Sequence, residues 1–315
     1  MIDYSIEAFQ FKYIDEVIQI WNESLVYDLM TKERFLDEIL LDPNFSSDMF
    51  LLAISDKKVI GFAYGIKRKV PYFTKGLEPE RAWVYAIAVG EKYRRNGIGS
   101  NLIKRLEKIF VDLGSKRITL NAYSPTYLTP GVDLKYEGAA AFFKEMKYDF
   151  SNSRTVSMCN NLFNFVLENE EIEKINNLEK EGYCFRQYRQ SDTLDLINFA
   201  DKEFGGGWAQ NVMTVIKQGD PSNSIVLAKN NDEIVGFCLR GIDGKESRFG
   251  PIGIAESQRG KGLGGILLQL MLELMKKNKT YYTYFLWTSG SNISFYEKYG
   301  FEVYREYRLG GKDYE

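Results

Sequence analysis

The sequence contains no histidine in 315 residues. Imidazole is the side chain that titrates nearest neutrality, so proton transfer must use carboxylates, tyrosines, lysines or water, and metal sites built on imidazole are excluded. Cysteine is scarce too. Cys159, Cys184 and Cys238 are odd in number and form no C-x-x-C pair, which argues against a disulfide framework or a zinc site and fits a reducing cytoplasm. No stretch of about 18 uninterrupted apolar residues occurs, and the opening "MIDYSIEAFQFKYIDE" carries acidic residues and no apolar core run, so the chain reads as neither membrane-spanning nor exported. Excess charge is also missing. The 41 basic and 43 acidic residues give a net charge of −2, and their spread leaves no footprint for nucleic acid and no polybasic membrane anchor. The expectation is a cytoplasmic protein that handles small ligands without a metal. Nothing in the pattern fixes an oligomeric state.

What is present is repetition. The chain is about twice the usual domain length of roughly 150 residues, and 44% hydrophobic residues supply two cores. The segment "EKYRRNGIGSNLIKRL" at 91–106 returns as "ESQRGKGLGGILL" at 256–268. Arg94, Gly97 and Gly99 become Arg259, Gly262 and Gly264, each 165 residues on.

The surrounding elements repeat in the same order. In the first half, "YSIEAF" alternates like a strand, and Ile14, Val17, Ile18 and Trp21 recur at helical spacing. Two apolar runs around Asp56-Lys57-Lys58 read as a hairpin. After a loop around Pro71 to Pro79, "RAWVYAIAV" is a strand. A helix from Ile98 to Val111 follows, with Ile98, Leu102, Ile103, Leu106 and Phe110 on one face. Then come the strand "KRITLNAY", the loop "SPTYLTPGVDL", the helix "KYEGAAAFFKEM" and strands in "YDFSNSRTVSMC". The charged stretch "LENEEIEKINNLEKEG" reads as a connecting helix ended by Gly182. The second half offers "YCFRQY", the helix "SDTLDLINFADKEF" with Ser191 as N-cap, a hairpin, "RFGPIGIAE", a helix Leu263 to Lys276, "TYYTYFLW" and "SNISFYEKYGF". A further helix in "GGGWAQNVMTVIKQGDP" is expected to cap a pocket. Pro251 interrupts a strand, and a bulge is favoured over an edge there. The predicted fold class is α/β, with a mostly antiparallel mixed sheet flanked by helices in each half. The boundaries are 1–166, a connector 167–181, and 182–315.

A helix N-terminus leaves about four N–H groups unpaired and carries about half a positive charge, so it favours a phosphate. Glycines at 97, 99, 262 and 264 let a bulky anion approach, while Arg94, Arg95, Arg259 and Lys261 add positive charge. One such turn would be weak, but two in the same strand-turn-helix context favour a ligand. Gly260-x-Gly262-x-x-Gly265 also satisfies the dinucleotide fingerprint. However, the next strand, "TYYTYFLW", has no acid for a ribose, and the first copy, with Asn96 and Ser100, lacks the fingerprint. No Gly-Lys-Ser/Thr follows either turn, so a Walker loop fails as well.

On the residues "VYAIAVGEKYRRNGIGSNLI" and "PIGIAESQRGKGLGGILL" the chain resembles the GNAT superfamily of acyl-CoA-dependent N-acetyltransferases, twice in tandem. The resemblance covers most of both halves in element order. It implies that each strand, turn and helix start holds the diphosphate and pantetheine of acetyl-CoA. In the first domain this concerns Ile87, Ala88, Val89, Arg94, Arg95, Asn96, Gly97, Ile98, Gly99 and Ser100. In the second it concerns Gly253, Ile254, Arg259, Gly260, Lys261, Gly262, Leu263, Gly264 and Gly265. "SNISFYEKYGF" is similar to the family's last motif, which implies that Asn292 and Tyr296 lie near the CoA thiol. Asn292 serves equally well as an N-cap.

The implied activity is acetyl transfer from acetyl-CoA to a primary amine of a small molecule or peptide. The amine must lose a proton, and with no histidine the base is a carboxylate such as Glu203 or Glu256, or a water chain. Backbone N–H groups near Gly253 to Ala255 or Ile87 to Val89 would meet the oxyanion. Tyr296 would serve the leaving thiolate. Phe143 occupies the corresponding position in the first half, so the second domain is expected to be the catalytic one. Two alternatives remain. One or both domains bind acyl-CoA without turnover, as sensor or scaffold, or the first domain uses Tyr123 or Tyr136 from its inserted loop.

Overall fold

The computed structural model describes residues 2–72, 75–124, 126 and 128–314. Phe73 and Thr74 of the expected loop, and Pro125 and Tyr127 of the inserted segment, lie outside the described residues. Two compact units are formed: Met1–Tyr72, Gly76–Thr155 and Arg305–Glu315 make the first, and Val156–Tyr304 makes up the second.

The first unit contains β1 (Ser5–Ala8), β2 (Phe50–Ser55), β3 (Lys58–Ile66), β4 (Arg81–Val89), β5 (Arg117–Leu120), β6 (Val132–Asp133) and β7 (Asp149–Phe150). Its helices are α1 (Ile14–Ser24), α2 (Lys32–Phe35), α3 (Ile98–Asp112) and α4 (Ala139–Glu145). Strands β1 to β4 pair antiparallel, and β5 pairs parallel to β4. Asp56 and Lys57 form the β2–β3 turn at φ 49° and 64°, the left-handed pair that a two-residue hairpin needs. Side chains of β2 alternate between two cores: Phe50, Leu52 and Ile54 join the α1 side, and Leu51 and Ala53 the α3 side. On the α1 side Trp21 stacks on Phe62 with ring centres 5.4 Å apart. Burying a large side chain of this kind contributes roughly 1.5–3 kcal/mol. On the other side α3 buries the five apolar residues that its periodicity predicts.

The second unit carries β8 (Thr155–Asn161), α5 (Asn169–Lys180), β9 (Tyr183–Gln187), α6 (Thr193–Phe204) and α7 (Gly206–Lys217). After these come β10 (Ile225–Asn230), β11 (Glu233–Arg240), β12 (Phe249–Ile254), α8 (Leu263–Lys277), β13 (Tyr282–Ser289), α9 (Asn292–Lys298) and the first residues of β14 (Glu302–Arg308), whose part from Arg305 onward belongs to the first unit. Strands β9 to β12 form an antiparallel sheet in the order β12-β11-β10-β9. Asn231 and Asp232, at φ 46° and 70°, repeat the hairpin turn of the first unit. The register slips opposite Gly250 and Pro251, so the proline does sit at a bulge. Ser191 does not cap α6 as expected. A short 3-10 turn, Gln190–Asp192, intervenes, and Asp192 accepts the Arg189 N–H at 2.8 Å while Arg186 grips the same carboxylate at 2.7 Å.

The largest departure from the sequence boundaries is the tail. Residues 305–315 read as part of the second domain, yet they belong to the first unit. Strand β15 (Gly310–Asp313) lies between β5 and β7, pairing Gly310 with both Leu120 and Phe150. Without it β5 would present an open ladder at that edge, which is the physical reason for the placement. Just before it, Tyr307 and Arg308 pair with Asp133 and Val132 of β6. Residues 156–166 depart in the opposite direction and join the second unit. Among the described residues no helix is long and apolar enough to cross a membrane.

Candidate active site

In the first unit β4 and β5 pair only from Arg81–Arg117 to Val84–Leu120. Asn121 makes one more bond, from its N–H to the Val84 carbonyl, and then Asn121 and Ala122 turn the chain away at φ 55° and 57°. From Tyr85 to Val89, β4 therefore has no β5 partner on that side. A cavity of about 790 Å³ occupies the gap. Ile87, Ala88 and Val89 line one wall, and Arg94, Arg95, Gly97, Ile98, Gly99 and Ser100 line its end. Asp28, Tyr136, Phe142 and Phe143 are among the residues facing them.

The turn itself is held locally. Arg94 donates from Nε to the Val89 carbonyl at 3.0 Å and from Nη2 to Ser24 Oγ at 3.4 Å. Asn96 does not line the cavity; its amide donates to the carbonyls of Tyr93 and Arg94. Gly97 stands at φ 77°, with no atom near where a Cβ would sit, so glycine is required by its backbone conformation. The first α3 ladder bond runs from Asn101 N–H to Gly97 O, which leaves the amides of Ile98, Gly99 and Ser100 ahead of the ladder at the positive end of the helix. This end fits a diphosphate.

The second unit keeps the turn, with different surroundings. Gly260 and Gly262 have φ of 84° and 82°, and Leu263, Gly264 and Gly265 begin α8. The Gly265 N–H already reaches back to Gly262 O at 3.1 Å, so one amide fewer is free than in the first copy. Lys261 donates to Tyr183 Oη at 2.7 Å and to Gln258 Oε1 at 2.8 Å, and Arg259 is exposed. A Cβ at Gly253 would overlap Phe204 and Trp208, whose rings stack 4.5 Å apart. Helix α7 thus fills the space beside β12 rather than capping a pocket there. A Cβ at Gly265 would collide with the Tyr299 hydroxyl, so the α8–α9 contact also leaves no slack. Strands β12 and β13 meet at a single bridge, Arg248 to Tyr284. Beyond the bridge the ring of Tyr296 packs against Phe285 at 4.4 Å, Phe301 at 5.6 Å and Phe249 at 6.2 Å.

Tyr296 is thereby an aromatic core member, and burial pushes its phenol well above the usual value. Asn292 is the first helical residue of α9 and is exposed, while Ser291 holds the N-cap position. Of the two acids considered as base, Glu203 accepts the backbone N–H of Glu256 at 3.2 Å. In the first unit the two candidate phenols separate. Tyr123 is fully buried and donates to Asp42 while accepting from Asn44. Tyr136 stands on the cavity wall, donates to Asp28 Oδ2 at 2.7 Å and accepts the Tyr27 N–H at 3.1 Å. Burial and the Asp28 charge both push its phenol up.

Asp28 and Asp133 also line the cavity, and they were not found by sequence reasoning. Buried acids carry no periodic signal, and each is recognisable only through its partner. That partner is Arg305 of the tail, which grips Asp28 at 2.6 and 2.7 Å and also donates to Asp133. Among the described residues no group of three or more His, Cys, Asp or Glu is placed to hold a metal ion.

Two sheets, each leading through a glycine turn into a helix, define a duplicated acyltransferase architecture. The sequence pattern of the acetyltransferase (GNAT) family matches residues 14–127 and 193–301, more than half of the chain, and the chain belongs to that family. Over 99% of its length it is similar to the glucosamine N-acetyltransferase region of a fungal multi-domain GH3 β-N-acetylglucosaminidase, with 18% identity and a TM-score of 0.80. It spans 38% of that larger chain. A GCN5-related N-acetyltransferase from Sphaerobacter thermophilus gives 15% identity and a TM-score of 0.74, with 99% of this chain and 97% of that one covered. A tandem GNAT protein from the clavulanic acid biosynthesis pathway gives 13% and 0.64, with 99% and 98% covered. At these identities the likeness establishes the tandem fold. No curated protein matches significantly.

Proposed function

We propose that the chain is an N-acetyltransferase that moves an acetyl group from acetyl-CoA to a primary amine of a small molecule or peptide by direct attack, with its first domain as the catalytic one. The observation that carries this reading is the cavity running from the start of α3 along the unpaired stretch of β4. The amides of Ile98, Gly99 and Ser100, with Arg95 beside them, would hold the diphosphate. Bound there, acetyl-CoA supplies an acetyl group already activated as a thioester. Alternate N–H groups of residues 85–89 point away from β3 and provide donors for a carbonyl oxygen in the gap. Tyr136 supplies a fixed hydroxyl to the acceptor side. The sequence favoured the second domain on account of Tyr296, but its seat among phenylalanines supports a structural role instead.

For the second domain a different reading has support, namely that it is non-catalytic and serves as scaffold. It keeps the glycine turn, while Phe204 and Trp208 pack over Gly253 and Tyr296 packs on Phe285. Charge reversal separates the two roles. Arg95→Glu should weaken acetyl-CoA binding measured by calorimetry by about tenfold or more, the scale of a lost charge-assisted contact. The same variant should suppress CoA release across an amine panel, while Arg259→Glu should leave release within about twofold. Equal loss from Arg259→Glu would assign catalysis to the second domain. A cytoplasmic location belongs to the same proposal.

A further inference from the structure

Arg305 lies far along the sequence from the cavity wall it supports. Its guanidinium is 9% exposed and sits between two carboxylates, Asp28 at 7% and Asp133 at 2%. Two donors go to the two oxygens of Asp28 and a third goes to Asp133, so the fork fixes the Asp28 carboxylate in plane and in rotation. A second contact, from Nη1 to the Tyr27 carbonyl at 3.4 Å, ties the same guanidinium to the backbone beside Tyr136.

The hydrogen-bond directions at Tyr136 then follow without choice. A carboxylate can only accept, so the Tyr136 hydroxyl gives its proton to Asp28. A backbone N–H can only donate, so one phenolic lone pair receives Tyr27. One lone pair remains on the hydroxyl of a residue that lines the cavity. An oxygen arranged in this way offers acceptance and no donation. It suits an incoming N–H, and it has nothing to give to a carbonyl or ether. The nearby Lys135 ammonium lies over the Tyr27 ring, 5.2 Å from its centre.

Resting on the assignment of the cavity as the transfer site, we infer that Arg305 is a positioning residue for acceptor recognition. It holds Asp28, and through Asp28 the hydroxyl of Tyr136, so that Tyr136 accepts a hydrogen bond from the nucleophilic amine. The tail is thus part of the specificity apparatus of the first domain, selecting N–H donors.

The test uses the full chain labelled with 3-fluorotyrosine, with Tyr136→Phe identifying the Tyr136 fluorine resonance. Arg305→Lys and Asp28→Asn should both move that resonance, whereas Asp313→Asn, which cuts only the exposed tail pair with Arg117, should not. Acetyl-CoA affinity by calorimetry should stay within about twofold for Arg305→Lys. With acetyl-CoA saturating, the best-used member of a set comprising butylamine, putrescine, glucosamine and phenethylamine should show KM raised about tenfold in Arg305→Lys and in Tyr136→Phe, the scale of one lost hydrogen bond. Because the first acts through the second, the double variant should be no worse than Tyr136→Phe alone. A resonance that stays in place while only the melting temperature falls overturns the inference, as does a double variant whose KM effects multiply. Absence of any acetyl-CoA heat in the unmodified chain would instead remove the functional assignment, and the fluorine shift would still decide whether Arg305 positions Tyr136.

Discussion

The two domains share a turn and differ in what lies beyond it. In the first, β4 leaves β5 and the gap stays open at about 790 Å³. In the second, Tyr296 packs between Phe249 of β12 and Phe285 of β13, and Phe204 with Trp208 covers Gly253. On the proposed reading, an anion-binding turn makes an acyl-transfer site only where the adjoining strands are also left apart. Possession of the motif phenol is likewise a poor guide, because a tyrosine can hold the strands' rings together as readily as it can face a substrate.

The largest expected effect comes from removing residues 305–315. The loss leaves Asp28 and Asp133 buried without their guanidinium, which costs about 3–5 kcal/mol before the missing strand β15 is counted. Acetyl-CoA binding should disappear in calorimetry and melting should shift sharply downward. A truncated chain with intact binding would mean that the first domain is complete without the tail.

Opening the second domain is the next step down. Trp208→Ala removes a half-buried ring and should cost about 2–3 kcal/mol, toward the low end for large-to-small changes. If ring filling is what separates the domains, acetyl-CoA stoichiometry should rise from one toward two. Stoichiometry unchanged at one would move the obstruction to the Tyr296 cluster.

Acid should also distinguish the domains. Arg186, with smaller help from the Arg189 amide and Lys229, holds the Asp192 carboxyl below its usual value. A depressed folded pKa stabilises above the ordinary carboxylate value of about 3.9 and is lost as pH falls below it. Melting of the second domain should therefore drop between about pH 5 and pH 3, and Asp192→Asn should flatten that slope. The smallest effect is Tyr296→Phe, a change that keeps the ring packing. The rate of CoA release should stay within about twofold and stability within about 1 kcal/mol. A large loss of rate would return catalysis to the second domain.

The parts legible in the sequence were those with local causes. The duplicated glycine turn, the α1 and α3 apolar faces and the two hairpins follow from periodicity and from the conformations that small residues allow. Strand β15 could not be read, because Gly310-Gly311-Lys312-Asp313 has no strand preference and exists only as a ladder between β5 and β7. Arg305 and Asp28 were equally hidden, since 277 residues separate them and neither breaks a local pattern. Whether a gap is open or filled was also illegible, because it depends on which rings the distant elements bring to it.

The tail has a consequence for synthesis. Most of the first domain has left the ribosome by Thr155, yet the strand that lies between β5 and β7 arrives only with Gly310 to Asp313. At roughly 5–20 residues per second, the incomplete sheet waits on the order of ten seconds or more for closure. During that interval the exposed β5 edge is a ready partner for another nascent chain, so rapid translation or a chaperone covering that edge should raise the yield of active protein.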